Sequence, residues 1–237
     1  MNKYKVLLFD LDGTISDSKE GITKSVQYAL KKLGIEEDDL NNLEPFIGPP
    51  LQESFRAFYS FTEERVNLAI EYYRERFKIK GMFENKLYPD IVELLHKLRT
   101  EGYILVVATS KPTEFAEKIL LHFNISQYFN VIVGSNLDGT RINKTEIIEH
   151  ILNQFNEFDK SCFLMIGDRK HDIIGARNTG IDSLGVTYGY GSHMELQQEN
   201  ATYIVHSVEE IKEILNRIGE NDGFFCLSDK HSEEKTR

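Results

Sequence analysis

The sequence predicts an α/β fold, a doubly wound parallel sheet with a separate α-helical domain inserted after its first strand. Three observations lead there. Short apolar runs recur along the chain with helical stretches between them, as in a parallel sheet buried on both faces. The runs end in small or polar residues, at the carboxyl ends of strands where an open α/β sheet binds its ligands. One long segment, by contrast, carries helical spacing alone.

The first run is VLLF, before Asp10. The stretch 18–86 follows, with Ile22, Val26, Ala29, Leu30 and Leu33 on one helical face and Val66, Ile70, Tyr73 and Phe77 on another. Gly34 closes one of these helices and the turn FIGPP opens the next. No strand pattern interrupts the stretch, which predicts a helical cap over the strand ends. Tyr88-Pro89-Asp90 restarts the sheet domain with Pro89 at a helix start. Then ILVVA leads to Thr109, VIV to Gly134 and CFLMI to Gly167, while SLGV begins at Ser183. Gly102 and Gly180 read as helix stops before strands. The expected organisation is a core domain of residues 1–17 and 87–218, a cap of 18–86, and a disordered tail of 219–237 that ends HSEEKTR.

At 237 residues, 41% apolar and 28% charged, the chain can bury a sizeable core and has an ordinary globular composition. Its 28 Lys and Arg against 38 Asp and Glu leave a formal net charge of −10, which repels a polyanion, so a nucleic-acid polymer is not expected as a partner. A small phosphate ester is repelled as well, unless local cations and a bound metal reverse the sign inside one pocket. Cys162 and Cys226 lack metal-ligand spacing and predict no disulfide framework, which fits a reducing cytoplasm. Asp10 breaks the N-terminal apolar stretch well short of the roughly 7–15 residues of a signal-peptide core. No segment approaches the roughly 18 apolar residues of a membrane span. A cytoplasmic monomer or homodimer, with no membrane partner, is expected.

The chemistry begins at Asp10-Leu11-Asp12-Gly13-Thr14, where two carboxylates two residues apart follow a strand, and a glycine then lets the chain turn sharply. Like charges held close in a partly buried site are costly unless a cation neutralises them, and a hard divalent ion such as Mg2+ takes oxygen ligands. A calcium loop would need an entering helix and a glycine where this chain has Ile15. A plain surface turn is the other reading of the string.

Gly167-Asp168-Arg169-Lys170-His171-Asp172 follows a second strand. Asp168 and Asp172, four apart, can face one point if the loop runs straight into a helix. Together the two acid pairs would make a four-carboxylate site for one Mg2+; helix capping by Asp168 is the alternative. Thr109-Ser110-Lys111 ends a third strand, where hydroxyls and helix-start N–H groups can hold phosphate oxygens or merely cap a helix. Lys144 opens the helix carrying Ile147, Ile148 and Ile151. A cation there opposes the helix dipole, which gives a bound anion as its reason, against the default of an exposed lysine. His171 is not expected to be a catalytic base, because a residue adjacent to a metal ligand need not face the pocket.

The order acid pair, hydroxyl, lysine, acid pair resembles the haloacid dehalogenase superfamily of Rossmann-like α/β proteins. Its first motif, DxDGT, matches Asp10 to Thr14, and its second, a Ser or Thr after an apolar strand, matches Thr109. The family lysine falls on Lys144, and the GDxxxD form of the last motif on Asp168 and Asp172. The likeness runs to about Ile218 and includes the helical insertion. FIGPPL, GSNLDGTRINK and GDRKHDIIGA look like the phosphoglycolate phosphatase branch, and especially its 5'-nucleotidase-like members. Arg169-Lys170-His171 departs from the commoner acidic wording, which leaves the metal pair intact but counts against phosphoglycolate as substrate.

The resemblance implies a Mg2+-dependent phosphatase acting on a small phosphorylated metabolite. Asp10 would be the nucleophile and a metal ligand. Asp12 would be the acid-base group and bind the metal through its backbone carbonyl, while Asp168 and Asp172 complete the metal site. Thr109, Ser110, Lys144 and Gly13 would hold the phosphate, and Arg56 with the Gly48-Pro49-Pro50 turn would contact the leaving group from the cap. Within the same likeness Asp12 argues against a carbon–halogen hydrolase, and a phosphonate hydrolase would carry a small residue there. A phosphosugar mutase keeps both aspartates and is separated only by assay. A phosphate-sensing module without turnover is the reading from outside enzymology.

Overall fold

The computed structural model describes residues 3–221. In chain order its elements are β1 (Val6–Phe9), β2 (Ser16–Asp17), α1 (Lys19–Lys32), α2 (Leu51–Tyr59), α3 (Glu63–Phe77), β3 (Lys86–Leu87), α4 (Ile91–Thr100), β4 (Ile104–Pro112) and α5 (Thr113–His122). They continue with β5 (Val131–Ser135), α6 (Lys144–Gln154), β6 (Phe163–Gly167), α7 (Lys170–Thr179), β7 (Asp182–Val186), α8 (His193–Gln198), β8 (Tyr203–Val205) and α9 (Val208–Asn221).

Six strands form one parallel sheet in the order β5-β4-β1-β6-β7-β8. β1 is central, and the chain winds outward from it in both directions, so the ends of β4, β1 and β6 lie side by side at the switch point of the topology. Alternate residues of these strands face opposite ways. Leu7, Phe9, Leu105, Val107, Leu164 and Ile166 pack into one apolar cluster, whereas Val6, Leu8, Val106, Ala108, Phe163 and Met165 pack into another with Ile147, Ile148 and Ile151 of α6. The first cluster runs without a break into Ile22, Val26, Phe46, Val66, Ile70 and Phe77, so the sheet and the helical segment above it share buried apolar surface.

Between β2 and β3 the chain holds α1, α2 and α3 and two short 3₁₀ turns, Leu40–Phe46 and Gly81–Phe83. β2 and β3 pair antiparallel, Ser16 opposite Leu87 and Asp17 opposite Lys86, which ties the two ends of this segment together. The predicted apolar face of α1 is buried at Ile22, Val26, Ala29 and Leu30, and that of α3 at Val66, Ile70, Tyr73 and Phe77.

Several local expectations change. β8 has three residues and β2 and β3 two each, too short to register as a period. β4 runs on through Thr109-Ser110-Lys111 to Pro112, with an irregular register after Ala108, so the hydroxyls lie on extended backbone and not at a helix start. α4 begins at Ile91, two residues after Pro89, because Asp90 adopts a left-handed φ of 64° at the cap position. α9 continues to Asn221, into the segment expected to be a tail, and residues beyond it lie outside the described chain. Cys162 is buried just before β6; Cys226, and with it the expected absence of a disulfide framework, lies outside the described residues. Among the described residues, no helix is long and apolar enough to cross a membrane.

Candidate active site

β1 ends at Phe9, and Asp10 extends its ladder by one bond, its N–H donating to the Ile166 carbonyl at 2.9 Å. That bond sets Asp10 beside the end of β6, where Asp168 follows. Asp172 sits in the first turn of α7 and accepts the Arg169 N–H at 3.1 Å. The helix-capping role weighed for Asp168 therefore falls to Asp172. Asp168 instead accepts the Tyr190 N–H at 2.7 Å and lies 3.5 Å from the Thr14 hydroxyl. Asp10, Asp168 and Asp172 are buried, and one oxygen of each lies within 4.8 Å of the others.

Gly13 makes this crowding possible. It takes a φ of +82°, and a Cβ there would stand 2.2 Å from Asp168 Oδ2, so both conformation and space require glycine. It packs under the carboxylates and does not line the cleft, which changes the substrate contact expected of it.

Lys144 supplies the cluster's cation. Its ammonium lies 3.0 Å from Asp10 Oδ1 and donates to the Ala108 carbonyl at 2.8 Å. It is also 2.8 Å from Asp172 Oδ1, as an ion pair outside hydrogen-bond alignment. Burial works against its charge, but the two carboxylates outweigh that and hold its pKa above the ordinary lysine value. Burial pushes Asp10 up to about 7; Lys144 opposes this, and the charges of Asp172 and Asp12 add to it. Burial, followed by the charges of Asp172 and Asp10, raises Asp168 well above the carboxylate range.

Asp12 turns away from this group. Its Oδ2 pairs with Lys111 at 3.0 Å, and the Lys111 ammonium rests 4.4 Å from the ring centre of Phe77 on α3. The expected four-carboxylate cluster is thus one of three carboxylates, because the chain leaves the strand at Phe9 and turns before Asp12 can align with Asp10. Three buried carboxylates against one lysine leave surplus negative charge. In addition, Asp172 Oδ1 is buried without a hydrogen-bond partner. An all-oxygen donor set with that charge fits a hard divalent cation such as Mg2+.

Above the carboxylates a cleft of about 70 Å³ is lined from the core by Asp10, Asp12, Thr109, Ser110 and Lys111, and from the helical segment by Phe46, Gly48, Pro50, Tyr73 and Phe77 among others. Thr109 is buried, and its hydroxyl accepts the Lys111 N–H at 3.2 Å. Arg56 does not reach the cleft: it is exposed on α2 and pairs with Glu63, because the helix turns this position outward. His171 lies outside the cleft lining, with Nε2 3.9 Å from Glu53 Oε2 and a pKa lowered chiefly by burial. Sequence reasoning missed Lys111, whose signal was a cation beside two strand-end hydroxyls. It also missed Tyr190, whose signal was the Tyr- and Gly-rich run that follows β7.

Residues 7–186 match the profile of the haloacid dehalogenase-like hydrolases. The chain is 47% identical over 213 residues to the 5'-nucleotidase of Pseudomonas aeruginosa, covering 90% of this chain and 96% of that protein. Tyrosine-protein kinase PtkA of Mycobacterium tuberculosis is 38% identical over 215 residues, covering 89% of this chain and 72% of that one. The crystal structure of a predicted phosphatase from Clostridium acetobutylicum has a TM-score of 0.88 at 51% identity, over 90% of this chain and 99% of that one.

Proposed function

Because this chain belongs to the haloacid dehalogenase-like hydrolase family, we propose that it hydrolyses small phosphate monoesters through an aspartyl-phosphate formed on Asp10. The observation that carries the reading is the meeting of Asp10, Asp168 and Asp172 at neighbouring strand ends, with Lys144 between Asp10 and Asp172. Asp10, Asp168, Asp172 and the Asp12 carbonyl would hold Mg2+. When bound, the ion offsets the charge of the carboxylates and of the incoming phosphate.

Lys144 keeps Asp10 available as the carboxylate against the pull of burial. An Asp10 oxygen then bonds to phosphorus as the ester P–O bond breaks. Asp12 passes a proton to the departing alkoxide and takes one from the water that cleaves the aspartyl-phosphate, a role worth roughly 10²–10⁴ in rate. Inorganic phosphate leaves and Asp10 is regenerated. Asp12 Oδ1, free of hydrogen bonds while Oδ2 holds Lys111, is the oxygen suited to carry that proton. The Thr109 hydroxyl, the Ser110 backbone and Lys144 stabilise the equatorial oxygens as charge develops.

For the leaving group the 5'-nucleotidase type is the better-supported reading. The P. aeruginosa relative carries that name. Phe46, Tyr73, Phe77 and Phe115 give the cleft apolar aromatic walls.

A phosphate-release screen with Mg2+ across nucleoside 5'-monophosphates, sugar phosphates and phosphoglycolate tests this. Release is expected, fastest from nucleotides, and lost on chelation. Asp10→Asn should lower turnover by roughly four orders of magnitude while the protein stays folded. Transfer between sugar positions or to tyrosine without phosphate release, or binding without turnover, would overturn the hydrolase reading.

A further inference from the structure

Between Asp168 and Asp172 stands Arg169, which the proposed mechanism does not use. Its backbone N–H donates to Asp172 in the carboxylate cluster. Its side chain crosses to the helical segment, where Nη1 donates to the Ile47 carbonyl at 2.6 Å. Glu195, in the first turn of α8, holds the guanidinium from the other side: Oε1 accepts Arg169 Nε–H at 3.0 Å and the Lys170 N–H at 2.8 Å. Gly48, with a φ of +101°, lies flat on the arginine stem, and a Cβ there would meet Arg169 Cγ at 2.8 Å. Gly48, Pro49 and Pro50 line the cleft over Asp10 and Asp12.

One residue thus joins the floor of the site to its roof. We propose that Arg169 is a positioning residue that seats the 47–50 turn over the cleft, and so determines how the leaving group of the phosphate ester is held. This rests on the hydrolase reading above. A planar guanidinium suits the task because it serves Glu195 and Ile47 with separate N–H groups in a fixed geometry, which an ammonium cannot reproduce in full.

The test compares Arg169→Met, Arg169→Lys and Glu195→Gln in the full chain, using phenyl phosphate and the much smaller acetyl phosphate. Arg169→Met should raise KM for phenyl phosphate roughly 10- to 100-fold, the worth of a charge-assisted hydrogen bond, with a smaller change in kcat and a smaller KM change for acetyl phosphate. Arg169→Lys should recover part of the loss. Glu195→Gln should fall between, and should add nothing in the Arg169→Met background. Equal losses for both substrates, or no gain from lysine, would overturn the proposal. Amide exchange gives a readout independent of turnover: Ile47 and Gly48 should exchange at least tenfold faster in Arg169→Met, and in Glu195→Gln should the first variant not fold, with α7 unchanged. Unaltered exchange at Ile47 and Gly48 defeats the roof assignment, whereas a wild type that hydrolyses neither substrate defeats the phosphatase reading alone.

Discussion

The ammonium of Lys144 lies 3.0 Å from Asp10 Oδ1, with side-chain exposures of 3% and 5%. Removing one partner of so buried a pair leaves the other uncompensated, at a typical cost of about 3–5 kcal/mol. Lys144→Met should therefore destabilise the metal-free protein by that order, read from denaturant midpoints, and lower kcat roughly 10²- to 10³-fold. Adding Asp10→Asn should return part of the stability, because the stranded charge is gone.

Asp10 is pushed up to about 7, against roughly 3.9 in an unfolded chain. Between those values the folded protein retains a proton that the unfolded chain has lost. Stability of the metal-free protein therefore falls as pH rises from about 4 to 7. Asp168, also raised, acts in the same direction. Melting temperature measured across this range should decline more steeply in the wild type than in Asp10→Asn. Mg2+ should raise it most at the upper end, where the carboxylates are ionised.

Gly13→Ala puts a methyl group 2.2 Å from Asp168 Oδ2 on a backbone with a φ of +82°. Strain alone costs about 1–3 kcal/mol. Displacing Asp168 should also weaken Mg2+ binding roughly 10- to 100-fold, the range seen when groups that orient metal ligands are lost. Calorimetric titration with Mg2+ checks the second effect separately from stability.

Arg56 is 47% exposed and paired only with the still more exposed Glu63 among the described contacts. Arg56→Ala should change stability by less than about 0.5 kcal/mol and leave KM for every phosphate ester within twofold. A tenfold rise in KM would return this residue to the substrate contacts.

How much of this could be read from the chain divides by range. VLLF, ILVVA, VIV, CFLMI and SLGV became five of the six sheet strands, because a continuous apolar run bounded by polar residues is a local property. β8 escaped as a three-residue edge strand, and the β2–β3 ribbon because pairing across a seventy-residue excursion leaves no periodic trace. The strand-end acids were legible by type and place, but not the side to which each would turn.

Residue order by itself determined the α/β alternation, the helical insertion, and the arrival of Asp10 and Asp168 at strand ends, since each depends on a period or a turn within a few residues. The folded structure alone decided that Asp12 leaves the carboxylates for Lys111, that Lys144 comes between Asp10 and Asp172, that Arg169 reaches Ile47, and that Arg56 faces outward. Those partnerships follow from the strand order and from the seating of the helical segment on the sheet. They are contacts between residues far apart in the chain, which no local pattern encodes.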